Sequence, residues 1–332
     1  MRVCIVGVGA VGGVFAGWLG RRVPASQLQL CALARGETLS ALRERGLRLH
    51  DADGEHEINL EASDHGEDLG QQDLVILAVK GPALADVATR LPPLLAADTR
   101  VLVAMNGVPW WFFDHASGPC AGLRLHNADP GGHMRAAVPT QHVLGCVLHF
   151  SARVLRPGVV QHASGDGLIL GEPAGGSSTR LTEIAALLRR AQFAVTESTA
   201  IQRDVWFKLW GNMTINPVSA LTQASADRIL DDTLVRGFCS AVMLEANNIG
   251  RHFGCGIDQT PEQRHAITRK LGAFKTSMLQ DLEAGRALEL DAITGSVREI
   301  GQHLGLTTPH LDALFGLTRL LAQSRGLYPS KG

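Results

Sequence analysis

Arg2-Val3-Cys4-Ile5-Val6-Gly7-Val8-Gly9-Ala10-Val11-Gly12 decides the fold of this 332-residue chain. A short β-branched run passes at once into Gly-x-Gly-x-x-Gly, and then into a segment that can continue as helix through Leu19. The order is strand, glycine turn, helix. A dinucleotide site needs each glycine for its own reason. Gly7 permits the tight turn, Gly9 lets the backbone approach a pyrophosphate, and Gly12 allows close helix-to-strand packing. The pyrophosphate then meets the helix N-terminus, so Gly7, Gly9, Ala10, Val11 and Gly12 are the expected cofactor contacts. The plainer alternative is a glycine-rich turn in any α/β protein.

Working outward, the next strand spans residues 28–33 and should end near the adenosine ribose. An NAD site usually places an acid there to accept the 2′-hydroxyl. This chain has Ala34 and Arg35 instead. A guanidinium suits a 2′-phosphate by charge and by forked hydrogen bonding, which predicts NADPH/NADP⁺ over NAD(H), unless Arg35 is only a solvated surface residue.

Further strand-like runs at 47–50, 58–62, 74–79, 100–103 and 143–149, with a helix-compatible stretch at 83–91, predict a Rossmann-type doubly wound α/β sheet. Residues 159–162 and 168–170 read as sheet additions, 179–192 as a helix and 195–198 as a last strand. Beyond Ala200 the apolar spacing is helical, with elements expected at 235–253, 261–283, 291–304 and 310–324. Two domains follow: residues 1–199 for the nucleotide, and residues 200–332 as an all-α substrate and catalytic domain.

Composition narrows the function classes. Apolar residues are 45% and charged residues 19%, and 31 Lys plus Arg balance 32 Asp plus Glu, so nothing favours nucleic acid or an anionic membrane. The six cysteines form no C-x-x-C pair and no cluster, which predicts neither a zinc site nor a disulfide framework. Residues 3–20 carry no charge, but six of these positions are Gly, which suits neither a membrane span nor a signal peptide. The segment reads as folded and cytoplasmic. His115, His126, His133 and His142 lack a paired carboxylate spacing and read as loop residues.

A second constellation lies in V-W-F-K-L-W-G-N-M-T-I-N-P. Lys208, Asn212 and Asn216 stand four apart, and on a helix they form one stripe drifting by about 40° per step. An ammonium and two amides on one face can polarise a carbonyl oxygen and hold a carboxylate or hydroxyl. Of the 31 Lys and Arg only five are Lys (80, 208, 270, 275 and 331), so Lys at 208, among Trp206, Phe207 and Trp210, reads as chosen for proton transfer. Against this, Lys208 could lay its stem over the rings with its head in water, and Asn212 could be a polar surface residue. Asn216 could cap a new helix that starts at Pro217.

These motifs, with Val79-Lys80, Asn106-Gly107, Ser277-Met278-Leu279-Gln280-Asp281 and Glu289-Leu290-Asp291, resemble the ketopantoate reductase (2-dehydropantoate 2-reductase) family over nearly the whole chain. The resemblance implies NADPH-dependent reduction of a 2-oxo acid, typically ketopantoate to pantoate on the route to pantothenate and coenzyme A. It implies Lys208 as general acid and Glu289 as the acidic group supporting the site. Asn106, Asn212, Asn216 and Ser277 match substrate-holding residues, Asn106 also lying by the nicotinamide, while Lys80 and Arg35 match cofactor contacts. The implied assembly is a monomer or homodimer that uses no metal. Bland readings remain for Glu289, as a helix N-terminal acid or a partner of Arg286, and for Ser277, as a helix cap.

Two positions depart from the family pattern. Phe274 stands where some members carry Asn, and Ala83 where some carry Gln. Between Asn106 and Val143 runs a long connection containing Trp110-Trp111-Phe112-Phe113, read either as a substrate wall or as packing. The competing functions are a related reductase acting on a bulkier 2-oxo acid or an imine, and a non-catalytic NADP-binding sensor.

Overall fold

The β-branched run at the start of the chain becomes an interior strand of a ten-stranded sheet in the computed structural model, which describes residues 1–329. Residues 330–332, the end of the expected second domain and with it Lys331, lie outside the described residues. The sheet and its helices run in the order β1 (Arg2–Val6), α1 (Ala10–Arg22), β2 (Gln29–Leu33), α2 (Gly36–Arg45), β3 (Leu47–Asp51), β4 (Gly54–Ile58), β5 (Glu61–Ser63), α3 (Gly66–Leu69), β6 (Gln72–Leu77), α4 (Leu84–Ala88), β7 (Leu95–Val103), α5 (His133–Ala137), β8 (Val143–Arg156), β9 (Val159–Gly171), α6 (Thr179–Arg190) and β10 (Ala194–Ser198). Spatially the strands run β4-β3-β9-β8-β7-β6-β1-β2-β5, with β10 paired to β9. All pairs are parallel except β3 with β4 and β8 with β9. The class is α/β, as the alternating pattern predicts.

Two departures have physical causes. The sheet additions expected at 159–162 and 168–170 are one strand, β9, because the polar residues between them stay hydrogen-bonded to β8 across a register shift near His149 and Ser151. Gly165, at φ +75°, supplies the backbone freedom for that irregularity. The strand expected at 58–62 is split, Ile58 ending β4 and Glu61 and Ala62 opening β5, since the chain leaves one edge of the sheet after Ile58 and enters the other at Glu61.

The glycines that exclude a membrane helix in the sequence are what bring strands onto α1. A Cβ built on Gly13, Gly17 or Gly20 would lie 2.5 Å from Val160 of β9, Leu49 of β3 or Ile58 of β4. Three close approaches along one helix face fix three strands against it. Trp18 on the same helix donates its indole N–H to Asp51 at 3.1 Å.

The helical unit consists of α7 (Ile201–Thr222), α8 (Ala226–Asp231), α9 (Thr233–Arg251), α10 (Pro261–Arg269), α11 (Ser277–Glu283), a π-turn (Asp291–Gly295), α12 (Ser296–His303) and α13 (Pro309–Ser324). The single helix expected at 261–283 is two, because Gly272 adopts φ +70° and Thr276 caps a fresh start by accepting from the Leu279 N–H. Conversely, α7 does not stop at Asn216 but runs through Pro217.

Compact unit one is Met1–Met105 with Gly131–Asp204, and unit two is Asn106–Pro130 with the chain from Val205 onward. Residues 106–130, placed by the sequence in domain 1–199, therefore pack with the helices. The cause is the aromatic run: Trp110, Trp111, Phe112 and Phe113 are all buried, and Phe113 and Trp206 each meet Phe253 edge-on, at 5.1 and 4.9 Å between ring centres. These rings are core, the packing alternative of the two readings. Farther along the segment, Glu299 of α12 accepts from the His126 N–H, the Asn127 N–H and the Asn127 amide at 2.6, 2.9 and 2.7 Å. Glu299→Ala should cost about 2–3 kcal/mol in urea denaturation, since three donors lose one charged acceptor. A change within about 0.5 kcal/mol would show that this latch is not energetically important.

Candidate active site

The glycine turn of unit one joins β1 to α1. Gly7 sits at φ +88° where β1 turns into α1, and its N–H bonds to the Leu33 carbonyl at 3.0 Å, continuing the parallel ladder between β1 and β2 into the turn. At Gly12 a Cβ would fall 2.0 Å from the Gly7 carbonyl oxygen, so helix and turn touch through backbone alone. A Cβ on Gly9 would meet nothing within 4 Å, which leaves room above the turn. Gly9 is the N-cap of α1 and contributes no side-chain acceptor, and Ala10 and Val11 are partly exposed. Uncapped amides beside open space fit a pyrophosphate.

Arg35 caps α2 from an exposed position, and its guanidinium donates to Asp86 of α4 at 2.8 Å. Asp86 also accepts from Arg90 at 2.9 Å. Asp86 is thus shared by two guanidinium groups. Lys80, exposed, starts the short 3-10 turn Gly81–Ala83 after β6. No local signal in the sequence could have paired Arg35 with Asp86, which stand 51 positions apart.

In unit two the Lys208 ammonium donates to Asn106 Oδ1 at 2.9 Å, joining residues 102 positions apart. Lys208 and Asn212 are partly exposed and Asn216 is buried, consistent with a stripe that drifts around α7. Ser277 is exposed at the first turn of α11, and the cap there is Thr276 instead. Thr276 is buried and shares a 2.5 Å hydrogen bond with Ser219, whose hydroxyl also reaches the Asn216 carbonyl at 3.1 Å. This pairing, which sequence reasoning missed, sets the start of α11 beside the turn of α7 that follows Asn216. Its only trace in the sequence is a threonine three residues before Leu279.

Glu289 is partly buried between Leu288 and Leu290, two buried leucines. Arg286 donates to Asp281 at 2.9 Å. Phe274 is tied through its backbone, its carbonyl accepting from the Ala226 N–H at 3.1 Å. Asn106 is held in place by its neighbours: Gly107 has φ +86°, a Cβ there would lie 2.3 Å from the Ala292 carbonyl, and the Val108 N–H donates to that carbonyl at 2.9 Å. Among the described residues no three His, Cys, Asp or Glu are grouped to hold a metal, and no helix is long and apolar enough to cross a membrane.

A glycine turn shaped for a dinucleotide, in a chain that also sets an ammonium against an amide, has the equipment of an oxidoreductase acting on a CH–OH group. Residues 3–111 match the family model "Ketopantoate reductase PanE/ApbA", and residues 200–322 match its C-terminal counterpart. A 2-dehydropantoate 2-reductase of Mesorhizobium japonicum is 38% identical, covering 99% of this chain and 100% of that one. A protein of Ralstonia solanacearum MolK2, provisionally assigned as a ketopantoate reductase, is 55% identical over 98% of this chain and 99% of that one, with a TM-score of 0.92. D-mandelate dehydrogenase, solved with NADH and anilino(oxo)acetate, has the same fold at 20% identity, a TM-score of 0.83, and coverage of 98% and 100%. The chain belongs to the ketopantoate reductase family.

Proposed function

We propose that this protein reduces ketopantoate to pantoate with NADPH. The observation that carries the reading is the Lys208 ammonium bonded to Asn106. A surface lysine lying over apolar rings has no need of an amide acceptor 102 positions away, whereas a proton donor has to be aimed.

Gly7, Gly9, Ala10, Val11 and Gly12 would hold the pyrophosphate, Arg35 the 2′-phosphate, and Lys80 the cofactor beyond its turn. When bound, the dihydronicotinamide supplies a hydride to C2 of the 2-oxo acid. Lys208 donates a proton to the former carbonyl oxygen, so C2 gains hydride, oxygen gains proton, and the ammonium is left as an amine. Asn106 aims the ammonium by accepting one of its protons. Asn212, Asn216 and Ser277 hold the substrate carboxylate and hydroxyl, Glu289 supports and helps position the site, and the Lys208 amine takes its proton back from solvent.

NADPH and NADH oxidation by purified protein across a panel of 2-oxo acids tests the reading. NADPH-selective turnover of ketopantoate supports it. Turnover confined to bulkier acids would move the substrate to another member of that class, and tight NADPH binding with no turnover would favour a sensor. Arg35→Ala should raise KM for NADPH by roughly tenfold or more, the loss of one charge-assisted contact, and leave that for NADH nearly unchanged. Equal effects on the two cofactors would remove Arg35 from the 2′-phosphate.

A further inference from the structure

The only tyrosine of the chain, Tyr328, follows the last helix and turns back onto the segment that carries Glu289. Its hydroxyl donates to Asp291 Oδ1 at 2.5 Å, and one residue earlier the Leu327 carbonyl accepts from the Leu288 N–H at 3.3 Å. Glu289 and Leu290 are thus bracketed by two anchors on the C-terminal segment. Asp291 in turn opens the π-turn, whose second residue, Ala292, holds Gly107 and Val108 and through them Asn106. Asn106 receives the Lys208 ammonium.

We infer that Tyr328 is a positioning residue for the proton-transfer group: through Asp291 and the π-turn it fixes Asn106 and Glu289 about Lys208. The inference rests on Lys208 as the proton donor. Each link in the chain is a hydrogen bond or a backbone contact, so a shift at Asp291 is passed on with little slack. The anchored element is a single π-turn, a rare i→i+5 geometry that occurs mostly at functional sites. Burial raises the Asp291 carboxyl above its ordinary range while the tyrosine bond opposes that rise. Burial, then the bond to Asp291, pushes the Tyr328 hydroxyl upward too, so it stays protonated as the donor.

Tyr328→Phe deletes one oxygen and keeps the ring. It should lower kcat by about tenfold with KM for NADPH close to that of the parent, while the lost bond to Asp291 lowers the melting temperature by a few degrees without unfolding the protein. The deciding variant combines it with Lys208→Ala. If Tyr328 acts through Lys208, the double variant is no slower than Lys208→Ala alone. A parent-like kcat in Tyr328→Phe, or the same tenfold loss repeated in the Lys208→Ala background, overturns the inference. Should Tyr328→Phe fail to fold, Asp291→Asn, which keeps an oxygen acceptor for the tyrosine, is compared with Asp291→Leu. A positioning role leaves the Asn variant the faster of the two, and equal losses overturn it. A Lys208→Ala enzyme with unimpaired kcat would instead sink the underlying assignment of Lys208, whatever Tyr328→Phe did.

Discussion

Lys208→Ala lowers kcat by about 10² to 10⁴, the usual worth of a positioned general acid, while binding of NADPH is retained. The separation follows from where the residue sits. Lys208 belongs to the unit formed by residues 106–130 and the chain from Val205, and the glycine turn belongs to the other. On the proposed mechanism, removing the ammonium takes away the proton for the nascent hydroxyl, and it leaves Asn106 Oδ1 without that donor. Neither change alters a residue of the glycine turn. Single-turnover rates at saturating NADPH read the chemical step directly. A loss of only a few fold would show that the proton comes from elsewhere, and Lys208 would return to the surface-lysine reading.

Gly12→Ala and Gly9→Ala, three residues apart, should fail in opposite ways. At Gly12 the new methyl falls 2.0 Å from a backbone oxygen and 3.0 Å from Ile5 Cγ2, and no side-chain rotation relieves the first contact. Helix α1 must move off the turn, at a cost of roughly 3 kcal/mol or more, and the melting temperature falls with cofactor binding. At Gly9 the methyl meets nothing within 4 Å, so the fold is kept and only the space for the pyrophosphate is filled. The expected result is an unchanged melting temperature with NADPH affinity reduced tenfold or more, about 1.4 kcal/mol or above, measured by calorimetric titration. A Gly9→Ala protein that binds NADPH as tightly as the parent would remove the turn from the cofactor site.

The sequence is most informative where chemistry and period coincide locally. The strand, glycine turn and helix at residues 2–19 are legible because β-branching, three glycines and apolar spacing all point one way. The stripe of Lys208, Asn212 and Asn216 is legible for the same reason, four-residue spacing on a long helix. What is hidden depends on pairing over distance. Nothing near Arg35 announces Asp86, nothing near Thr276 announces Ser219, and a lone tyrosine at position 328 gives no hint of Asp291. The long β8–β9 hairpin is also obscured, because glycine and polar residues within β9 break the alternating pattern that marks a strand. Helix α7 continuing through Pro217 is the reverse case, in which tertiary packing overrides a local stop signal.

The membership of residues 106–130 in the helical unit bears on how the protein is made. During synthesis this segment emerges well before α7, the turn after α9, and α12, which supply Trp206, Phe253 and Glu299 as its partners. Four consecutive aromatic residues must therefore wait, unburied, while the remaining strands of the nucleotide unit are translated. The same arrangement sets a rule for dissection. A fragment beginning at Val205 carries the helices and Lys208 but leaves behind Asn106 and the rings that fill its core. Its poor solubility would therefore reflect a missing core segment, not a fault in the helices themselves.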